Sequence, residues 1–244
     1  MRVALFSAFP HELRKIVRNI GAGKPLKKGL VDVSHGEYYS HEIIVVLTGI
    51  GIRNAENALK YVLEEHPPDV VISAGFGGAL YNNACIGEVI LASRVISVTD
   101  GQVNVLDLNN DRDMFKRLSG QLNLREGSVV TIDAWRKKAE VREMVPEEFP
   151  FPVCDMETFP LAKLSLERGL RFFGFRSITD RGGEEIPPEL LGVSDESGRY
   201  SLSLAVNLLL TNPRLIPGSI KLGINSYIAG RSLWKAVSAF IRAL

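Results

Sequence analysis

CDMETFPLAKLSLERGLRFFGFRSITD, running from Cys154 to Asp180, is the stretch that decides the fold. It opens on Asp155 and Glu157 flanking Met156, then carries Leu161, Leu164, Leu166 and Leu170. That spacing predicts an amphipathic helix with one buried face, ending near Gly169. Phe172 to Ile178 is an apolar run, predicted as a buried strand that stops at Thr179-Asp180. A carboxylate where a buried strand ends needs a partner or a task, because an unpaired charge there is costly. Glu157 and Asp180 thus stand at opposite ends of one helix–strand unit. A parallel sheet brings such strand ends to a common rim, where ligands bind.

Working outward, apolar runs predict strands at Val3–Phe6, Ile43–Leu47, Asp69–Ser73, Gly87–Ser93 with Val95–Val98, and Gly127–Ile132, with a short one at Val103–Leu106. Helical patterns follow from near His11, over Asn54–Glu65 and over Arg136–Met144. Lys24 to Lys28 reads as a basic, exposed turn. The C-terminal part reads as separate helices at Leu202–Leu210, Gly218–Leu222 and Tyr227–Leu244. Strands dispersed among helices give the α/β class, a three-layer α/β/α sandwich around a central mixed sheet. Residues 1–244 are expected to form one domain, with a helical C-terminal extension from about residue 190.

Composition narrows the functional classes. Hydrophobic residues at 45% and charged residues at 23% are ordinary for a soluble domain. A net charge of +1 gives no electrostatic case for nucleic acid. Cys85 and Cys154 are too few for a disulfide framework, and no metal-ligand spacing is present, so neither metal nor cofactor is expected. No run approaches the ~20 apolar residues of a membrane span, and a cytoplasmic location is the expectation.

His11, His35, His41 and His66 fall outside any triad or metal spacing, which leaves carboxylates near strand ends: Glu12, Asp133, Asp155, Glu157 and Asp180. Two carboxylates in different environments can divide acid and base work, and glycosidic cleavage is one chemistry that such a pair can run. Spacing alone does not select it. Glu12 also reads as a charge complementing the N-terminus of its own helix. Gly75, Gly77 and Gly78 argue for close approach of backbone to a ligand or to neighbouring elements.

Several separated segments, in order, resemble the nucleoside phosphorylase and nucleosidase superfamily, especially its hydrolytic methylthioadenosine/S-adenosylhomocysteine nucleosidase branch. They are Ser7-Ala8 through Glu12, TGIG at Thr48–Gly51, SAGFGGAL at Ser73–Leu80, TIDAW at Thr131–Trp135, CDMET at Cys154–Thr158 and RSITD at Arg176–Asp180. The resemblance implies that Asp180 is the general acid for the leaving purine and Glu12 the base that activates water. It implies that Glu157 binds the ribose hydroxyls, Met156 packs on the sugar face, Trp135 stacks on the base and Arg136 offers backbone contacts to the base edge. The resemblance also implies that Phe9 lines the 5′ side of the sugar and that the segment around Gly75 and Phe76 borders the substrate. Hexameric phosphorylases carry an arginine two residues before the position of Gly75 and a serine just after it; this chain has Ser73 and Phe76. Hydrolysis without phosphate is therefore the expectation, with phosphorolysis and catalytically inactive nucleoside binding as the alternatives. The apolar C-terminal helices read as core and dimer packing, or as a groove for a large apolar 5′ group such as a hopanoid-type adenosine. Futalosine hydrolysis would use the same catalytic set. A homo-oligomer is expected, a dimer first.

Overall fold

Alternation of side chains decides the architecture. In the computed structural model, which describes residues 1–23, 25–28, 31–99, 102–108, 112–120, 122–191 and 202–244, strand β1 (Arg2–Ser7) sends Val3 and Leu5 into one core and Ala4 and Phe6 into another. Strand β4 (His41–Leu47) divides Ile43 and Val45 from Ile44 and Val46 in the same way. A sheet apolar on both faces must be covered on both. Helices α1 (Pro10–Asn19), α3 (Arg112–Ser119) and α8 (Ile216–Ala243) cover the first face. Helices α2 (Ile52–Glu65) and α5 (Thr158–Glu167) cover the second. The expected three layers are present.

The sheet has ten strands. Beyond β1 and β4 they are β2 (Leu26–Lys28), β3 (Val31–Tyr38), β5 (Val70–Ala79), β6 (Val89–Thr99), β7 (Gln102–Asp107), β8 (Leu124–Ile132), β9 (Val153–Asp155) and β10 (Arg171–Asp180). Their order is β10-β6-β8-β9-β5-β1-β4-β3-β2, with β7 on β6. Strand β5 also pairs with β10, so β10, β6, β8, β9 and β5 close into a ring. Strands β4, β1, β5 and β10 run parallel, and their carboxyl ends meet on one rim.

Several sequence expectations change here. The basic segment near Lys24–Lys28 contains strand β2, and Lys24 itself lies outside the described residues. Strand β5 does not stop at Ser73 but continues through the glycines to Ala79, because β10 and β9 pair with that part of it. Helix α5 buries Thr158, Pro160, Leu161, Ala162 and Ser165, whereas Leu166 is exposed. The two C-terminal pieces are one helix, α8: Pro217 sits in its first turn, where a missing N–H does no harm. Helices α4 (Lys138–Met144), α6 (Pro188–Leu191) and α7 (Leu202–Thr211), with a short 3-10 helix at Pro213–Leu215, complete the described elements. Residues 192–201, the start of the expected extension, lie outside the described residues, as do 100–101 and 109–111 of the polar stretch after Thr99.

Candidate active site

The rim of β1, β4, β5 and β10 holds a narrow cleft, with Ser7, Glu12, Thr48, Ser73, Gly75, Phe76, Glu157 and Arg176 in its wall. Glu12 is placed by its own helix and by β5, the neighbour of β1 in the sheet. As the third residue of α1 it accepts the Phe9 N–H at 3.0 Å, the helix-capping part foreseen for it. The same oxygen accepts Ser7 Oγ at 2.5 Å, and Oε1 accepts the Phe76 N–H at 2.7 Å. The carboxylate is thus fixed by three donors from three segments. Gly75 is required beside it: a Cβ there would lie 2.9 Å from Glu12 Oε1.

Glu157 enters from the turn between β9 and α5, and its Oε1 accepts the Gly51 N–H at 2.8 Å. Burial, then the adjacent Asp155, push its pKa up to about 8, against the opposing pull of Arg176 and the Gly51 N–H. Asp155 is not a ligand group but an anchor. Its oxygens accept Thr131 Oγ1 at 2.6 Å, the Thr158 N–H at 3.0 Å and hydroxyl, and Arg176 Nε at 2.9 Å and Nη2 at 2.5 Å. Arg176 also donates to Ser73 Oγ at 2.9 Å. Arg176 is the single cation among the described lining residues, and its charge is answered within the wall.

Asp180 ends β10 opposite Gly78, three residues beyond Gly75 on β5, so it lies roughly 10 Å further along the rim. It does not line the cleft that holds Glu12 and Glu157. Lys138 Nζ closes on its Oδ2, and Thr179 Oγ1 donates to Oδ1 at 2.7 Å. Both members of this ion pair are buried. Burial raises the pKa of Asp180, with Lys138 pulling the other way. Lys138 is itself held: Nζ donates to Arg181 O at 2.6 Å, and its backbone N–H to Glu185 Oε1 at 3.0 Å. The sequence reading missed Lys138, which looked like one charge in a charged helix. Its one signal is position, directly after the β8 rim at the start of α4.

The remaining expected residues divide by location. Phe9 stacks on His11 with centroids 5.2 Å apart, and His11 meets Phe76 at 5.6 Å, forming an aromatic wall at the mouth. His11, set aside in the sequence, is therefore at the site; burial between the rings lowers its pKa, and Glu12 opposes this. Met156 packs with Cys154 against the Ile132–Val141 cluster under α4. Trp135 is 39% exposed in the loop leading to Lys138. Arg136 beside it pairs with Asp133 at 3.2 Å. No group of His, Cys, Asp and Glu residues able to hold a metal occurs among the described residues.

Comparisons with known proteins agree with this fold. The Phosphorylase superfamily model matches residues 2–201. The 5′-methylthioadenosine/S-adenosylhomocysteine nucleosidase of Shewanella halifaxensis is 22% identical over 227 residues, 86% of this chain and 99% of that one. That of Shewanella sp. strain MR-7 is 23% identical over 240 residues, 91% of this chain and 100% of its own length. Among solved structures, the Neisseria meningitidis nucleosidase bound to methylthio-immucillin-A superposes with a TM-score of 0.73 at 19% identity, covering 100% of this chain and 99% of that one. Helicobacter pylori futalosine hydrolase gives 0.76 at 15%, covering 100% and 98%.

Proposed function

The chain belongs to the phosphorylase superfamily, and from that premise we propose that it hydrolyses the N-glycosidic bond of a purine nucleoside and releases the free base. The observation that carries this reading is the charge of the cleft. Glu12 and Glu157 supply two carboxyl groups, and the only cation among the described lining residues, Arg176, is neutralised by Asp155. Inorganic phosphate would meet acidic groups and no uncommitted cation. A water held by Glu12 and a ribosyl centre gaining positive charge beside Glu157 suit that environment.

In this mechanism Glu12, immobilised by its three donors, accepts the proton of the water that attacks the anomeric carbon. Glu157 accepts ribose hydroxyls and faces the sugar as it becomes cationic. Asp180 gives its proton to the leaving base. Lys138 must yield Oδ2 for that contact, and its ammonium then stabilises the carboxylate that proton transfer leaves behind. Met156 and Trp135 contact sugar and base, with Arg136 at the base edge. The Phe9–His11–Phe76 wall favours an apolar 5′ substituent. A cytoplasmic homodimer is part of this reading, and a single-chain mass by light scattering at micromolar concentration would remove the dimer.

A second reading, nucleoside binding without turnover, is favoured by one feature: both oxygens of Asp180 are engaged. Glu12→Gln tests the first reading. Base release should fall at least ~100-fold, while added nucleoside still raises the unfolding temperature. Unaltered hydrolysis would remove Glu12 as the base; stabilisation of the wild-type chain with no base released would favour the second reading.

A further inference from the structure

Helix α8 has two differently used halves on one outward face. Its inward side is sealed in the core by Ala229, Leu233, Ala236, Val237, Phe240 and Ile241. On the outward side Ile216, Ile220, Ile224, Tyr227 and Ile228 are 41–62% exposed. These residues recur at helical spacing and form one continuous stripe. From Arg231 onward the same face turns basic, with Lys235 and Arg242 also exposed. Single exposed apolar side chains are ordinary, but five of them in one stripe along a helix mark a contact surface.

Charge identifies the occupant. Residues 202–244 contain five of the chain's 29 basic residues and none of its 28 acidic ones, so the preceding 201 residues are net acidic. Arg214, Lys221, Arg231, Lys235 and Arg242 are all exposed. A second copy meeting this face with the same face would cover the apolar stripe but bring the cations of the segment no acidic counterpart from it. An anionic lipid surface answers both halves. No helix among the described residues is long and apolar enough to cross a membrane, so the contact is interfacial. We infer that this outward face of α8 docks on an anionic bilayer, its apolar half entering the headgroup–acyl boundary and Arg231 and Lys235 facing lipid phosphates.

Docking would set the site at the lipid boundary. Gly230 of α8 faces the Phe76 ring, with a Cβ there falling 3.7 Å from it, and Asn225 donates to Thr179 O at 2.8 Å. The inference does not depend on the reaction assigned above, and its test reads no activity. The full chain is floated with phosphatidylcholine vesicles, with and without phosphatidylglycerol, at low and high salt. It should float with the anionic vesicles, less so at high salt. Ile220→Ser with Ile224→Ser, and separately Arg231→Gln with Lys235→Gln, should each cut the bound fraction about tenfold. The unfolding temperature should stay put, since all four side chains are exposed. A wild-type chain that stays with the buffer, or isoleucine variants that float as well as wild type, would overturn the inference. So would light scattering showing that those isoleucine changes split a dimer, because the face would then be a subunit interface.

Discussion

Lys138 and Glu157 show how far single residues set the chemistry. The Lys138 ammonium lies against Asp180 in a buried pair, and it opposes the burial that raises the Asp180 pKa. Lys138→Met should therefore raise that pKa further. If protonated Asp180 is the acid, the alkaline fall of the pH–rate profile should move to higher pH in the variant, with a lower plateau. A profile unchanged in position would mean that Lys138 does not act through Asp180. Glu157 is raised by burial in the same way, with Asp155 adding to the shift and Arg176 opposing it. Its folded-state pKa of about 8 lies above the ordinary carboxylate value of 4.5, so its contribution to stability is complete below about 4.5. It is lost as pH rises through about 8. Wild type should lose stability across that window relative to Glu157→Gln, which has no proton to release. Urea midpoints that run parallel for the two chains from pH 5 to 9 would contradict the shift. At this scale the sequence was partly legible. Glu12 and Glu157 stand out as carboxylates at strand ends, whereas Lys138 and His11 are recognised only when the fold brings α4 to Asp180 and sets His11 between Phe9 and Phe76.

The helix α5 shows where periodicity fails at the scale of an element. Leucines at 161, 164, 166 and 170 suggest one buried face, yet Leu161 is 1% exposed and Leu166 42%. The helix packs through Thr158, Pro160 and Ser165 as well, because its first turn is tied to Asp155 and the sheet edge rather than to an apolar groove alone. Leu161→Ala should cost about 2–5 kcal/mol in urea unfolding, and Leu166→Ala less than about 0.5 kcal/mol. Equal costs would place Leu166 in the core. Strands β1 and β4 were legible because every residue of their apolar runs finds a core. Strand β3 was not, since Val31 and Val33 are followed by Ser34, His35, Gly36 and Glu37, which carry no strand signal. The sequence suggests two pieces, Gly218–Leu222 and Tyr227–Leu244, where the structure has one helix, α8, with its core face running from Ala229 to Ile241.

At the scale of the molecule, one rim gathers the ends of four parallel strands, and with them the acidic cleft, the aromatic wall and the Lys138–Asp180 pair. The meeting of parallel strand ends on one rim could be foreseen from the sequence, whereas the aromatic wall and the Lys138–Asp180 pair could not. Nor could the sequence show that Arg176 would be answered by Asp155, which needs β9 and β10 paired to the two opposite edges of β5 near Gly78. That neutralised cation underlies the central claim, hydrolysis without phosphate. The most direct measurement is release of free base from adenosine, inosine, methylthioadenosine, futalosine and an adenosine with a bulky apolar 5′ group, each with and without inorganic phosphate. The expected result is release in phosphate-free buffer from at least one of them, yielding the free sugar or its 5′-modified form. Release that occurs only when phosphate is added, with sugar 1-phosphate as product, would contradict the account.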